Sequence, residues 1–214
     1  MNYSTRKALY RVILVFKHPV KSYKKVLKTY PVLVQSLQTG ILYGCSDVLA
    51  QHFVERVPLS DIDTRRSLIF STVGIIYTGP IVTLWYRFLS RKIGTTGNIV
   101  TIKKVIIDQF GFVPFFHLGL LTTLNTLHGQ NIEDLRDQLR LKYFDILFAS
   151  VRLWPMVQLI NFRFTPLNYQ VLVSQSVALF WNVYVSWKTQ QGVTENKSGS
   201  HKDIVKCPLI SKAV

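Results

Sequence analysis

The chain has 214 residues, of which 48% are hydrophobic and only 17% charged, yet its formal net charge is +15. Soluble domains carry about 25% charged residues, so an ordinary water-solvated globule is a poor fit. Charges crowded into loops between apolar membrane spans reconcile the figures, and the mean hydropathy of +0.21 agrees.

Taken in chain order, residues 1–28 hold Arg6, Lys7, Arg11, Lys17, Lys21, Lys24, Lys25 and Lys28, and no acid precedes Asp47. A basic, acid-free start resembles mitochondrial targeting, and no cleavable secretory signal is visible. A loop that obeys the positive-inside rule explains the same residues, and the two readings are compatible. Charge-free runs follow at 29–46, 67–86, 109–132 and 164–187, with a fifth apolar stretch at 146–164 interrupted by Arg152 and Arg163. A helix needs about 20 mostly apolar residues to cross a bilayer. The runs are too long for barrel strands, which alternate over about 10 residues, and an open sheet is not allowed in lipid. The predicted fold is therefore all-α, a multi-pass transmembrane helical bundle. It comprises about four spans plus an additional membrane-embedded or partly spanning helix within residues 29–189, followed by a flexible polar tail at 190–214.

Loop charges set a topology. Residues 52–66 balance three bases against three acids, 87–104 carry five bases and no acid, and 128–145 carry three bases and four acids. The two basic segments then share one side. The tail from Lys188, with five bases and two acids, prefers that side too. Four crossings would place it there; five would not.

Within the spans, Gly40 and Gly44 form a G-x-x-x-G that allows close helix contact. Gly74, Gly79 and Pro80 sit in the second run, and Asp108, Gln109 and Pro114 open the third. The most unusual stretch is WPMVQLINFRFTP, Trp154 to Pro166. On an ideal helix Trp154, Gln158 and Asn161 share a face, while Arg152 and Arg163 point nearly opposite. Pro155 removes a backbone donor and predicts a kink. Buried arginines call for counter-charges, and Asp47 and Asp108 are the acids nearest the embedded segments. The expectation is that Asp47 or Asp108 lies beside Arg152 or Arg163. The candidate pore or buried polar set is Asp47, Gln51, Asp108, Gln109, Arg152, Gln158, Asn161 and Arg163; Gly40, Gly44, Pro80, Pro114 and Pro155 are assigned to helix packing or kinks. Cys45 and Cys207 suggest no disulfide.

Five stretches together resemble the Mpv-seventeen and peroxisomal membrane protein twenty-two family of small integral membrane proteins. They are YPVLVQSLQTGILYGCSDVLAQ, GPIVTLWYRFL, DQFGFVPF, WPMVQLINFRFTP and WNVYVSW, in order along residues 23–187. DQFGF and WNVYVSWK look most like the mitochondrial inner-membrane branch. Thr83 stands where many members have His, and Gln170 where many have Arg. The resemblance implies a multi-pass protein, usually drawn with four spans, in the mitochondrial inner membrane, with the peroxisomal membrane as the alternative. It implies a nonselective channel or pore for small solutes or metabolites, tied to mitochondrial homeostasis and mitochondrial DNA maintenance. A non-conducting scaffold or assembly protein is the alternative.

Catalysis is not expected. His117, His128 and Asp108 are the best raw material, but the histidines are not at a recognised zinc spacing and no Cys joins them. No phosphate-binding or dinucleotide-binding glycine pattern appears, so no cofactor or metal is assigned. The dispersed bases fit anionic lipid headgroups better than nucleic acid. The expected partners are the bilayer, small solutes or metabolites, and a second copy of the chain as an open alternative.

Overall fold

A computed structural model describes residues 19–127, 129 and 131–198. Helix α1 is Pro19–Thr29; α2 is Pro31–Leu49, prolonged by a π-helical turn at Ala50–Val54; α3 is Thr64–Ile93; α4 is Asn98–Leu127; α5 is Ile132–Phe164; and α6 is Leu167–Ser198. A short 3₁₀ turn, Leu59–Asp61, lies in the α2–α3 loop, and no strand occurs among the described residues. Helices α3 and α4 are long and apolar enough to cross a membrane by length and composition.

Local chemistry sets the boundaries. Pro31 sits in the first turn of α2, where its missing N–H costs nothing. Asp63 caps α3 by accepting from the Arg66 N–H at 3.0 Å. Arg91 and Lys92 lie in the last turn of α3 and complement its dipole. Gly94 then turns the chain at φ 115°, a conformation that favours glycine. Pro166 separates α5 from α6.

The five long helices alternate in direction. Gly40 and Gly44 of α2 pack against Ser71 and Ile75 of α3, while Gly74 meets Gly40 and Gly79 meets Ser36. Tyr77 donates to the Phe116 carbonyl of α4 at 2.9 Å, and Ser90 meets Lys104 at 3.1 Å. Helix α6 runs parallel to α2: Gln35 donates to the Asn168 carbonyl and Ser46 to that of Leu179.

The interior combines apolar clusters, around Leu89 and Val171 and around Val73 and Leu124, with many polar groups. Gln35, Thr39, Asp47, Gln51, Arg66, Lys104, Asp108, Gln158 and Asn161 are all buried, whereas Leu33, Leu37 and Ile41 form an exposed stripe on α2. An apolar outer surface suits lipid, and polar groups turned into the bundle are kept away from it.

Pro155 stands inside α5, which spans Ile132–Phe164. Helix α6 continues to Ser198, into the stretch read from sequence as the start of the polar tail. It contains no proline, and its Lys, Glu and Gln residues are compatible with helix. Residues 1–18 of the basic segment, His128 and residues 199–214 with Cys207 lie outside the described residues.

Candidate functional site

Three polar groups occupy the bundle interior. The first joins α2 to α3. Asp47 and Gln51 lie one turn apart on α2, and Gln51 Nε2 donates to Asp47 Oδ2 at 2.7 Å. Arg66 Nε donates to Asp47 Oδ1 at 2.8 Å. The Arg66 fork closes on Glu55 with bonds of 3.0 and 2.7 Å. Ser67 adds a bond to Asp47 Oδ2 at 2.7 Å. Gln51 also accepts from the Asp63 N–H at 2.8 Å, tying the loop to the helix. Every charge here is thus hydrogen-bonded as well as paired, which burial demands.

The expected pairing of Asp47 or Asp108 with Arg152 or Arg163 is therefore wrong. Asp47 belongs to Arg66. Arg152 and Arg163 are exposed on the outer face of α5, and the Arg163 guanidinium lies 5.9 Å from the Phe164 ring centroid. The helical geometry gives the reason. Turning Gln158 and Asn161 inward turns both arginines outward, where long side chains can carry their charge toward water.

The second group joins α3, α5 and α6. Gln158 Nε2 donates to the Tyr86 hydroxyl at 2.6 Å, which lies 2.9 Å from Ser174 Oγ. Asn161 Nδ2 reaches Ser174 Oγ at 2.9 Å and the Gln170 carbonyl at 3.0 Å. The polar face predicted for the Trp154–Asn161 stretch is the inward face of α5.

The third lies on α4. Asp108, 1% exposed, accepts from Trp85 Nε1 at 2.8 Å and from Gln109 Nε2 at 2.9 Å. These residues open a π-helical turn, Asp108–Phe112, that ends just before Val113, so that only Val113 separates it from Pro114. Gly74–Thr78 stands in the same relation to Pro80. A proline removes one intrahelical bond, and a widened turn ahead of it accommodates the misfit.

Between the three groups is a cavity of about 210 Å³. Asp47, Arg66, Asp108, Gln109, Gln158 and Ser174 line it, together with aromatic walls from Phe112, Phe116 and Trp154. Gln51, Asn161, Arg152 and Arg163 are not in its lining. Thr83 and Gln170, the departures from the family pattern, lie outside it as well. Thr83 Oγ1 bonds the Gly79 carbonyl and Gln35 Oε1, and Gln170 Nε2 bonds the Thr165 carbonyl.

Sequence reasoning missed Arg66, Glu55, Ser150, Ser174 and Gln175. Arg66 directly precedes a charge-free run and reads as a loop charge. Ser174 follows Gln170 by one helical turn, a small-polar periodicity that could have marked the inner face of α6. His117 also lines the cavity. Among the described residues no group of three or more His, Cys, Asp or Glu could hold a metal ion.

Residues 125–186 match the model of the Mpv17 / PMP22 family. The mitochondrial inner membrane protein Mpv17 of Rattus norvegicus is 39% identical over 171 residues, covering 80% of this chain and 97% of the relative. That of Bos taurus is 39% identical and that of Homo sapiens 37%, with the same coverage. No solved structure matches the chain.

Proposed function

The chain belongs to the Mpv17 / PMP22 family and is a protein of the mitochondrial inner membrane, and from that premise we propose that it is a passive, non-enzymatic conduit for small hydrophilic solutes. The observation that carries this reading is the cavity between α2, α3, α4, α5 and α6, with Asp47, Asp108, Gln109 and Gln158 in its wall. Polar groups inside a membrane are costly, and a hydrated path lowers that cost. Both signs of charge face the space, so sharp ion selectivity is not implied. Conduction requires the bundle to open, and the π-helical turns of α3 and α4 are the places where the backbone can change register. Passage of small metabolites would link such a conduit to mitochondrial homeostasis and mitochondrial DNA maintenance.

The basic end of the bundle supports contact with anionic lipid headgroups. Exposed Lys21, Lys24, Lys25 and Lys28 of α1 lie at the same end as Arg91, Lys92 and Lys103. Charge supports four crossings, with the tail returning to this end. Helix alternation supports five, with the tail opposite.

A non-conducting scaffold is the second reading, favoured by the direct bonds from Gln158 and Asn161 to Tyr86 and Ser174, which need no water. Planar-bilayer recording of purified protein separates the two. The conduit predicts single-channel currents, with an amplitude or gating that shifts in folded Gln158→Leu or Asp108→Asn protein. Folded protein that stays silent under changes of voltage, pH and redox state selects the scaffold.

A further inference from the structure

Several buried polar atoms that line the cavity have no hydrogen-bond partner. Among the described residues both ion pairs belong to Arg66, so Asp108 is a buried carboxylate without a paired cation. Lys104, one turn earlier on α4, turns away: its Nζ donates to Ser90 Oγ at 3.1 Å and lies 5.7 Å from the Phe162 ring centroid. Arg66 reaches the cavity but is held by Asp47 and Glu55.

Asp108 uses two of its roughly four acceptor sites. Because a carboxylate only accepts, its bond with Gln109 must come from the amide nitrogen, which leaves Gln109 Oε1 as the free end. That atom is buried without a partner, as are Gln175 Oε1 and Ser150 Oγ. All three residues are at most 5% exposed and line the cavity. His117, which also lines the cavity, has its Nδ1 2.9 Å from the Val113 carbonyl and must donate to it.

We propose that the cavity binds a small organic cation, an ammonium group on a compact apolar or aromatic body. The ammonium, with up to three donors, faces Asp108 and the side-chain carbonyls of Gln109 and Gln175. The body packs on Phe112, Phe116 and Trp154, whose ring faces attract positive charge. A bare alkali ion matches less well, because apolar walls leave much of its coordination sphere without oxygen. Size agrees: an apolar cavity of about 150 Å³ accepts benzene, so about 210 Å³ accommodates a body slightly larger than one ring.

The inference concerns the same cavity as the proposed conduit and names its occupant, but binding does not require conduction. Full-length protein in nonionic detergent is titrated with benzylammonium, the neutral benzyl alcohol of equal size, and benzoate, by calorimetry. Benzylammonium should bind at least tenfold more tightly than benzyl alcohol, and benzoate should not bind. Asp108→Asn should abolish the preference for the cation. Equal binding of amine and alcohol, a preference retained in Asp108→Asn, or displacement of benzylammonium by equimolar potassium would overturn the proposal. If circular dichroism shows Asp108→Asn unfolded, Gln175→Leu carries the test: the amine-to-alcohol ratio should fall severalfold, and an unchanged ratio overturns the proposal. Protein that binds the amine selectively but conducts nothing in bilayers removes only the conduit. Protein that conducts but does not discriminate removes only this site.

Discussion

Arg66 is the residue on which the α2–α3 contact depends. Its guanidinium is 5% exposed and shared between Asp47, which is 1% exposed, and Glu55. Removing one partner of such a group strands the other in a medium that does not solvate it. Arg66→Ala should cost about 3–5 kcal/mol, seen as a fall in the melting temperature of the protein in detergent. Arg66→Ala combined with Asp47→Asn should lose less than Arg66→Ala alone, because the more deeply buried of the two orphaned carboxylates is gone. Arg152→Gln should change stability by less than about 0.5 kcal/mol, as for other surface positions. A large loss at Arg152 and none at Arg66 would show that the charges are paired differently.

Helices α2 and α3 meet backbone to backbone. An added Cβ at Gly74 would lie 2.7 Å from the Gly40 Cα and 2.9 Å from the Thr39 carbonyl oxygen. Neither neighbour is a flexible side chain that can move aside. Gly74→Ala should therefore destabilise by about 1–3 kcal/mol, the usual cost of overpacking. Gly111 is the control, since its nearest neighbour would be Ile107 Cγ2 at 3.9 Å. Gly111→Ala should be tolerated. Parallel unfolding curves in mixed micelles test the pair, and equal effects would mean that the α2–α3 approach is looser than described. The same element scale explains why Pro80 and Pro114 do not break α3 or α4: each follows a π-helical turn that absorbs the lost bond.

The whole molecule has a basic end and an opposite end. The α3–α4 connection belongs to the first, and the α4–α5 connection, which begins near Asn125 and Asn131, to the second. The positive-inside rule then predicts that residues 87–104 face the matrix and residues 128–145 face outward. Epitopes inserted in each segment check this by protease protection in mitoplasts. The first should be shielded and the second cut, and the reverse pattern would reject the assignment. A C-terminal epitope in the same assay counts crossings: shielding means four and cleavage means five.

The sequence by itself determined the helical class, the membrane setting and the inward face of α5. Each rests on local periodicity and run length, which need no knowledge of neighbours. The Gly40–Gly44 pair was equally legible as a place of close approach, because only glycine permits it. What α2 approaches there, and which charges pair, was decided by tertiary structure alone. Asp47 and Arg66 are separated by a loop whose path brings Glu55 and Arg66 together, and no spacing rule reports that. Arg152 and Arg163 drew attention because they interrupt an apolar stretch, yet neighbouring helices claimed the opposite face of α5. The cavity is likewise a property of five helices at once: Gln109, Ser150 and Gln175 come from three of them, and only their packing places these polar groups around one space.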